Sequence, residues 1–226
     1  KAVALRGLLA RHGAQRYRKG RVMGPARVTT HQFASSDGTI LEADVLIPET
    51  RVANAVVCHP HPLYGGNRND AVVTALCQAL VEADHEVVRF DFRGAGGSAG
   101  SYGGGSAERE DLLAAIDQLS DPLRPLVLAG YSFGADIALT VAPDVLQQWL
   151  VVAPVLQVFD SFVAASHEQA KRMIVGAHDQ FQPAQNLSAI TKTWVNTQVA
   201  TIEAADHFFR ASLGSVSELA INLLLD

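Results

Sequence analysis

The chain reads as a single α/β domain: a mostly parallel sheet of eight or nearly eight strands, with helices on both faces and no large cap. Three observations predict this. From Val28 onward, short β-rich apolar runs alternate with helical ones, the pattern of parallel strands joined by crossover helices. The connections between these runs are short, leaving no insertion long enough for a separate lid. Apolar residues make up 48% of the chain and charged residues 18%, which excludes a disordered protein.

The elements follow in order. Val28 to Ala34 and Ile40 to Ile47 flank Ser35-Ser36-Asp37-Gly38, and an Asp-Gly step between β-rich runs predicts an antiparallel hairpin. Val56-Val57-Cys58 is a strand ending at His59-Pro60. Asp70 to Glu82 then places Val72, Val73, Leu76, Ala79 and Leu80 on one helical face. The same unit recurs as Glu86 to Phe92 before a helix over Ser106 to Leu119, and as Leu126 to Gly130 before a helix over Phe133 to Ala142. Leu150 to Ala153, Met173 to Val175 and Val199 to Ile202 supply the remaining strands, and Ala211 to Leu225 closes the chain as a helix. No internal repeat is present.

Charge divides the chain unevenly. Residues 1–22 hold seven Lys and Arg and no acid, leaving 11 basic and 23 acidic residues for the rest. That asymmetry marks 1–22 as a basic N-terminal extension, outside a domain spanning 23–226. Met23 before Gly24-Pro25 is one natural start; an organelle transit peptide and an exposed basic helix are the competing readings. The net charge of −5 disfavours nucleic acid and anionic membranes as partners. No apolar run approaches the roughly 18 residues of a membrane span. Cys58 and Cys77 are too few for a disulfide framework, and both lie in apolar segments, so they read as buried thiols in a reducing, cytoplasmic setting.

Two segments fit Gly-x-Ser-x-Gly, one around Ser98 and one around Ser132. A nucleophile elbow needs a strand arriving and a helix leaving at once. Leu126 to Ala129 and Ala135 to Ala142 supply both for Ser132. Ser98 instead sits among seven glycines between Gly94 and Gly105, where the match follows from composition, and no helix opens before Ser106. Gly94-Ala95-Gly96-Gly97-Ser98-Ala99 also fits a dinucleotide fingerprint, but the phosphate-binding helix that fingerprint requires does not start there.

A serine hydroxyl needs a base, and the base an orienting acid. After Ser132 the histidines are His167, His178 and His207. His167 lies in a polar, helix-like segment. His207 falls between the last strand and the last helix, at the carboxyl edge of the sheet where open α/β sheets place their sites, and is the preferred base. Asp179 follows the preceding strand at the same edge and is the preferred acid, with His178 a loop residue beside it. Asp206 and Asp160 are the competing acids. The order Ser132, Asp179, His207 is the one known for nucleophile-elbow hydrolases.

An acyl-transfer oxyanion also needs two N–H donors. Phe133, the residue after the nucleophile, supplies one. The other comes from the loop His59-Pro60-His61-Pro62-Leu63-Tyr64-Gly65-Gly66, where the prolines have no N–H. His61 is the first usable amide, with Leu63 and Tyr64 as alternatives. His59-x-His61 also has the spacing of a metal-ligand pair, but no clear third ligand accompanies it.

From Val28 to Asp226 the chain resembles the α/β-hydrolase superfamily. His59-Pro60-His61-Pro62-Leu63-Tyr64-Gly65-Gly66-Asn67 and Asp91-Phe92-Arg93-Gly94-Ala95-Gly96-Gly97-Ser98 are similar to a small, cap-less serine esterase group related to dienelactone hydrolases. The resemblance implies a compact hydrolase without a cofactor, acting on a small-molecule ester. Dienelactone hydrolases use a cysteine where this chain has Ser132, which favours ordinary carboxylic esters over lactones. Peptidase or thioesterase chemistry would use the same machinery, and a non-catalytic binding protein could use the same fold.

Overall fold

A computed structural model describes residues 26–225; the readings made above for residues 1–22 fall outside that range. Eight strands form one sheet: β1 (Arg27–Ala34), β2 (Ile40–Ile47), β3 (Ala53–Cys58), β4 (His85–Phe90), β5 (Leu126–Tyr131), β6 (Leu146–Val152), β7 (Ala170–Gly176) and β8 (Thr197–Ile202). Their spatial order is β1-β2-β4-β3-β5-β6-β7-β8. β2 runs antiparallel to both its neighbours, and every other pairing is parallel. The Asp37-Gly38 turn closes the β1–β2 hairpin, with Gly38 at φ +84°.

Five helices cover the sheet: α1 (Ala71–Glu82), α2 (Ser106–Ile116), α3 (Phe133–Ala138), α4 (Ala184–Thr191) and α5 (Leu213–Leu225). The period of two along β5 sorts its side chains between two cores. Leu126 and Leu128 join Phe90, Phe92, Trp149 and Met173 under α2, α3 and α4. Val127, Ala129 and Tyr131 join Val87, Leu150 and Ile174 under α1 and α5. This alternation, buried on both faces, is what parallel strands require. Asp70 caps α1 by accepting the N–H of Val72 at 2.8 Å, satisfying a donor that the first helical turn leaves free. Cys58 and Cys77 are both free and buried.

Several boundaries differ from the sequence reading. β6 begins at Leu146 and β7 at Ala170; the residues just inside those starts, Gln147-Gln148 and Lys171-Arg172, are polar and hide them. Lys171 is fully buried because its ammonium donates to the carbonyls of His167 and Gln169. The helix after Ser132 ends at Ala138 instead of Ala142. There the Trp149 indole N–H takes the Ala138 carbonyl at 2.9 Å, and the Ala164 N–H takes that of Leu139 at 3.1 Å. His167 lies in extended backbone at the end of a short 3-10 turn, not in a helix. α4, unanticipated, is a short segment burying Ala184 and Leu187.

Candidate active site

The chain leaves β5 at Tyr131 and enters α3 at Phe133, so Ser132 takes the whole turn, at φ 56° and ψ −119°. A non-glycine residue with positive φ is strained and persists only where its surroundings over-determine it. Here the Ser132 N–H is held by the Val152 carbonyl at 2.9 Å, and its own carbonyl accepts from Ala135 at 3.0 Å. The flanking glycines allow the close approach. A methyl group built on Gly130 would lie 2.4 Å from the Gly134 carbonyl oxygen, and one on Gly134 would lie 2.4 Å from that of Cys58. Gly134 thereby seats the elbow directly against the end of β3 and the loop that follows it.

His207 sits on the loop between β8 and α5. The Tyr131 hydroxyl donates to its carbonyl at 2.9 Å, and Asp206 folds the next two residues by accepting the N–H groups of Phe208 and Phe209. Its Nδ1 lies 2.8 Å from Asp179 Oδ2, and its Nε2 lies 2.9 Å from Ser132 Oγ. An ionised carboxylate only accepts, so Nδ1 carries the proton and Nε2 presents a lone pair to the serine hydroxyl. Asp179 is 3% exposed and His207 4%. The other carboxyl oxygen of Asp179 accepts the N–H groups of Phe181 and Gln182, each at 2.9 Å. The Asp179 carboxyl is thus held by main-chain N–H groups of its own loop, and Ser132 by its backbone hydrogen bonds to Val152 and Ala135.

The structure brings Ser132, Asp179 and His207 together and sets the competitors apart. Asp206 is spent on its local turn, Asp160 is exposed, and His178 is an exposed loop residue. The Ser98 hydroxyl donates to the Asp91 carbonyl at 2.6 Å and accepts the Glu42 N–H at 2.9 Å, so it ties the glycine-rich loop to β2. That loop runs from Gly94 to Gly105 before α2 opens at Ser106. Its base is an ion-pair cluster in which Arg68 meets Glu42, Asp44 and Asp91, while Arg93 meets Asp111 and Asp37.

His59 is fully buried; Nδ1 donates to the Pro60 carbonyl at 2.6 Å and Nε2 accepts the Phe92 N–H at 2.9 Å. With both nitrogens engaged it has no lone pair for a metal, and burial holds its pKa down at about 4. Among the described residues no group of three or more His, Cys, Asp or Glu could hold a metal ion. His61 caps a 3-10 turn over Pro62–Tyr64, its Nδ1 accepting the Leu63 N–H at 3.2 Å. Its ring packs against Phe133 and Tyr102, with centroids 4.8 and 4.6 Å away, so this loop stands beside the residue after Ser132. Among the described residues the N–H groups of His61 and Phe133 meet no protein acceptor.

One buried group has no counterpart in the sequence reading. Asp136, on α3 one turn after Ser132, is fully buried and accepts four backbone N–H groups, those of Val155, Leu156, Gln157 and Val158, at 2.9 to 3.4 Å. In the sequence it looks like an acid in the first turn of a helix, a common placement opposite the helix dipole. Its partners lie 19 to 22 residues away and are main-chain, which no side-chain motif announces.

The chain is similar over most of its length to proteins already known. Residues 53–211 match the family model described as "Serine aminopeptidase, S33". An uncharacterized protein of Rickettsia prowazekii (strain Madrid E), RP471, is 33% identical over 183 residues, covering 74% of this chain and 76% of that protein. Among solved structures, an α/β serine hydrolase homologue from Coxiella burnetii superposes with a TM-score of 0.81 at 31% identity, covering 87% of this chain and 97% of that one. XC6422 from Xanthomonas campestris, described as an α/β serine hydrolase without lid, gives 0.80 at 29% identity over 88% and 94% of the two chains.

Proposed function

The chain belongs to the serine aminopeptidase S33 family of α/β hydrolases, with no lid among the described residues, and from that premise we propose that it is a carboxylesterase working through an acyl-enzyme. The observation that carries the reading is the unbroken hydrogen-bonded line from Asp179 through His207 to Ser132, 2.8 and 2.9 Å. Ser132 attacks the ester carbonyl while Nε2 of His207 takes its proton; Asp179 fixes the tautomer and stabilises the imidazolium that forms. The tetrahedral oxyanion is received by the N–H groups of Phe133 and His61, which meet no acceptor among the described residues. The imidazolium then returns its proton to the departing alcohol. A water enters by the same route to release the acid.

What supports a soluble or short-chain ester is the openness of the surroundings. Leu63 is 67% and Tyr64 87% exposed beside His61, and no inserted segment among the described residues covers them. Aminoacyl amides are the contrasting substrate, suggested by the family description and served by the same steps. The test is steady-state hydrolysis of p-nitrophenyl esters of graded acyl length, with an aminoacyl p-nitroanilide alongside. Turnover of the short esters is expected, falling about 10^4- to 10^6-fold in Ser132→Ala. Anilide turnover exceeding that of every ester would overturn the esterase assignment, and no turnover of any substrate would favour a binding protein on this fold.

A further inference from the structure

The loop after β6 is conformationally expensive and adjoins the elbow. Ala153 and Leu156, three residues apart, both have positive φ, 45° and 57°, a backbone region that non-glycine residues avoid unless held there. Val152, immediately before them, carries the carbonyl that fixes the Ser132 N–H. What holds the loop is the Asp136 carboxylate, each oxygen taking two consecutive N–H groups. Burial pushes this carboxyl up to about 6 while the four donors favour its charged form, so at neutral pH it is the anion that four donors require.

The loop is tied in turn to the acid. The side-chain amide of Gln182 donates to the Val155 carbonyl at 2.8 Å, and the Gln182 backbone N–H donates to Asp179 Oδ1 at 2.9 Å. The contacts close into a ring: Ser132, one helical turn to Asp136, Val155, Gln182, Asp179, His207, and back to Ser132. We propose that Asp136 is a positioning residue, bracing the 153–158 loop so that, through Gln182, the acid-bearing loop keeps the distance and orientation at which Asp179, His207 and Ser132 line up.

The inference rests on the serine-hydrolase reading, and the experiment separates the two. Asp136→Asn keeps the volume but turns an amide NH2 toward N–H donors; Gln182→Ala cuts the ring at its other joint without touching the helix. Both are assayed for kcat and KM on a short p-nitrophenyl ester, well below their melting temperatures, beside the double variant and Ser132→Ala. A misalignment approaching 1 Å costs about 10^2 in rate, so kcat is expected to fall about 10- to 100-fold in Asp136→Asn and about 3- to 10-fold in Gln182→Ala. KM should stay within about twofold, because alignment acts on the chemical step, and the double variant should be no slower than Asp136→Asn, because one ring is broken only once. Wild-type kcat in Gln182→Ala, or losses that multiply in the double variant, would overturn the brace. Should Asp136→Asn not fold, kcat and KM of Gln182→Ala decide alone. Turnover surviving in Ser132→Ala defeats the hydrolase reading itself; turnover that Ser132→Ala abolishes while both ring variants leave it intact defeats only the brace.

Discussion

Replacing Gly134 by alanine changes one hydrogen for one methyl, yet it strikes where two backbones meet. The new carbon would lie 2.4 Å from the Cys58 carbonyl oxygen and 2.5 Å from that of His59, about 1 Å inside ordinary contact. β3 cannot withdraw, because it is paired on both sides, with β4 and β5. The elbow is held by Val152, so the space must open between the His61 loop and Phe133, the two proposed oxyanion donors. A donor displaced by that amount costs about 10^2 in kcat, or about 2.7 kcal/mol of transition-state stabilisation. Overpacking itself costs about 1–3 kcal/mol of folding stability. The assay is kcat and KM on p-nitrophenyl acetate with urea denaturation in parallel, and Gly214→Ala as the control, since a methyl there meets nothing within 4 Å. Gly134→Ala should lose kcat about 100-fold with KM within threefold, while Gly214→Ala keeps both. A folded Gly134→Ala with kcat within threefold of wild type would refute the seating of the elbow against β3.

Three further outcomes follow. Asp179→Asn keeps the site's shape but lets the imidazole take the wrong tautomer, so kcat should drop about 10^4-fold in steady-state assays. Ser98→Ala removes two half-buried hydrogen bonds and should cost about 1–2 kcal/mol in urea melts while kcat stays near wild type; a collapse of kcat would return Ser98 to the mechanism. His59 has a folded pKa of about 4, depressed by burial from 6.5. Its neutral form therefore contributes stability that is fully present above pH 6.5 and lost as the pH falls toward 4, up to about 3 kcal/mol. The stability gap between wild type and His59→Gln should accordingly shrink by about 2 kcal/mol between pH 7 and pH 4.5 in denaturant titrations, most of that total.

How far the sequence reaches depends on whether a residue's partner is near in the chain or fixed by a rule of topology. Ser132 is legible because a strand, a turn and a helix are adjacent there, and Asp179 and His207 because both fall after strands at one sheet edge, in a known order. The hairpin is legible from Asp37-Gly38. The starts of β6 and β7 are not, since Gln148 and Lys171 read as surface residues and are buried only because other parts of the chain cover them and, for Lys171, accept its protons. The end of α3 is decided by Trp149 and Ala164, whose competition for its last carbonyls is tertiary. Asp136 is the sharpest case: four main-chain N–H groups have no side-chain signature, and the loop that presents them exists only once β6 is paired.

A Ser132 hydroxyl made nucleophilic by His207 can be trapped covalently. The folded protein is exposed to a fluorophosphonate, digested, and mapped by mass spectrometry, with Ser132→Ala and His207→Ala treated identically. One adduct per chain is predicted, on Ser132, absent from Ser132→Ala and formed at least 10^3-fold more slowly in His207→Ala. An unmodified wild-type chain, or an adduct on another residue that forms equally fast in both variants, would contradict it.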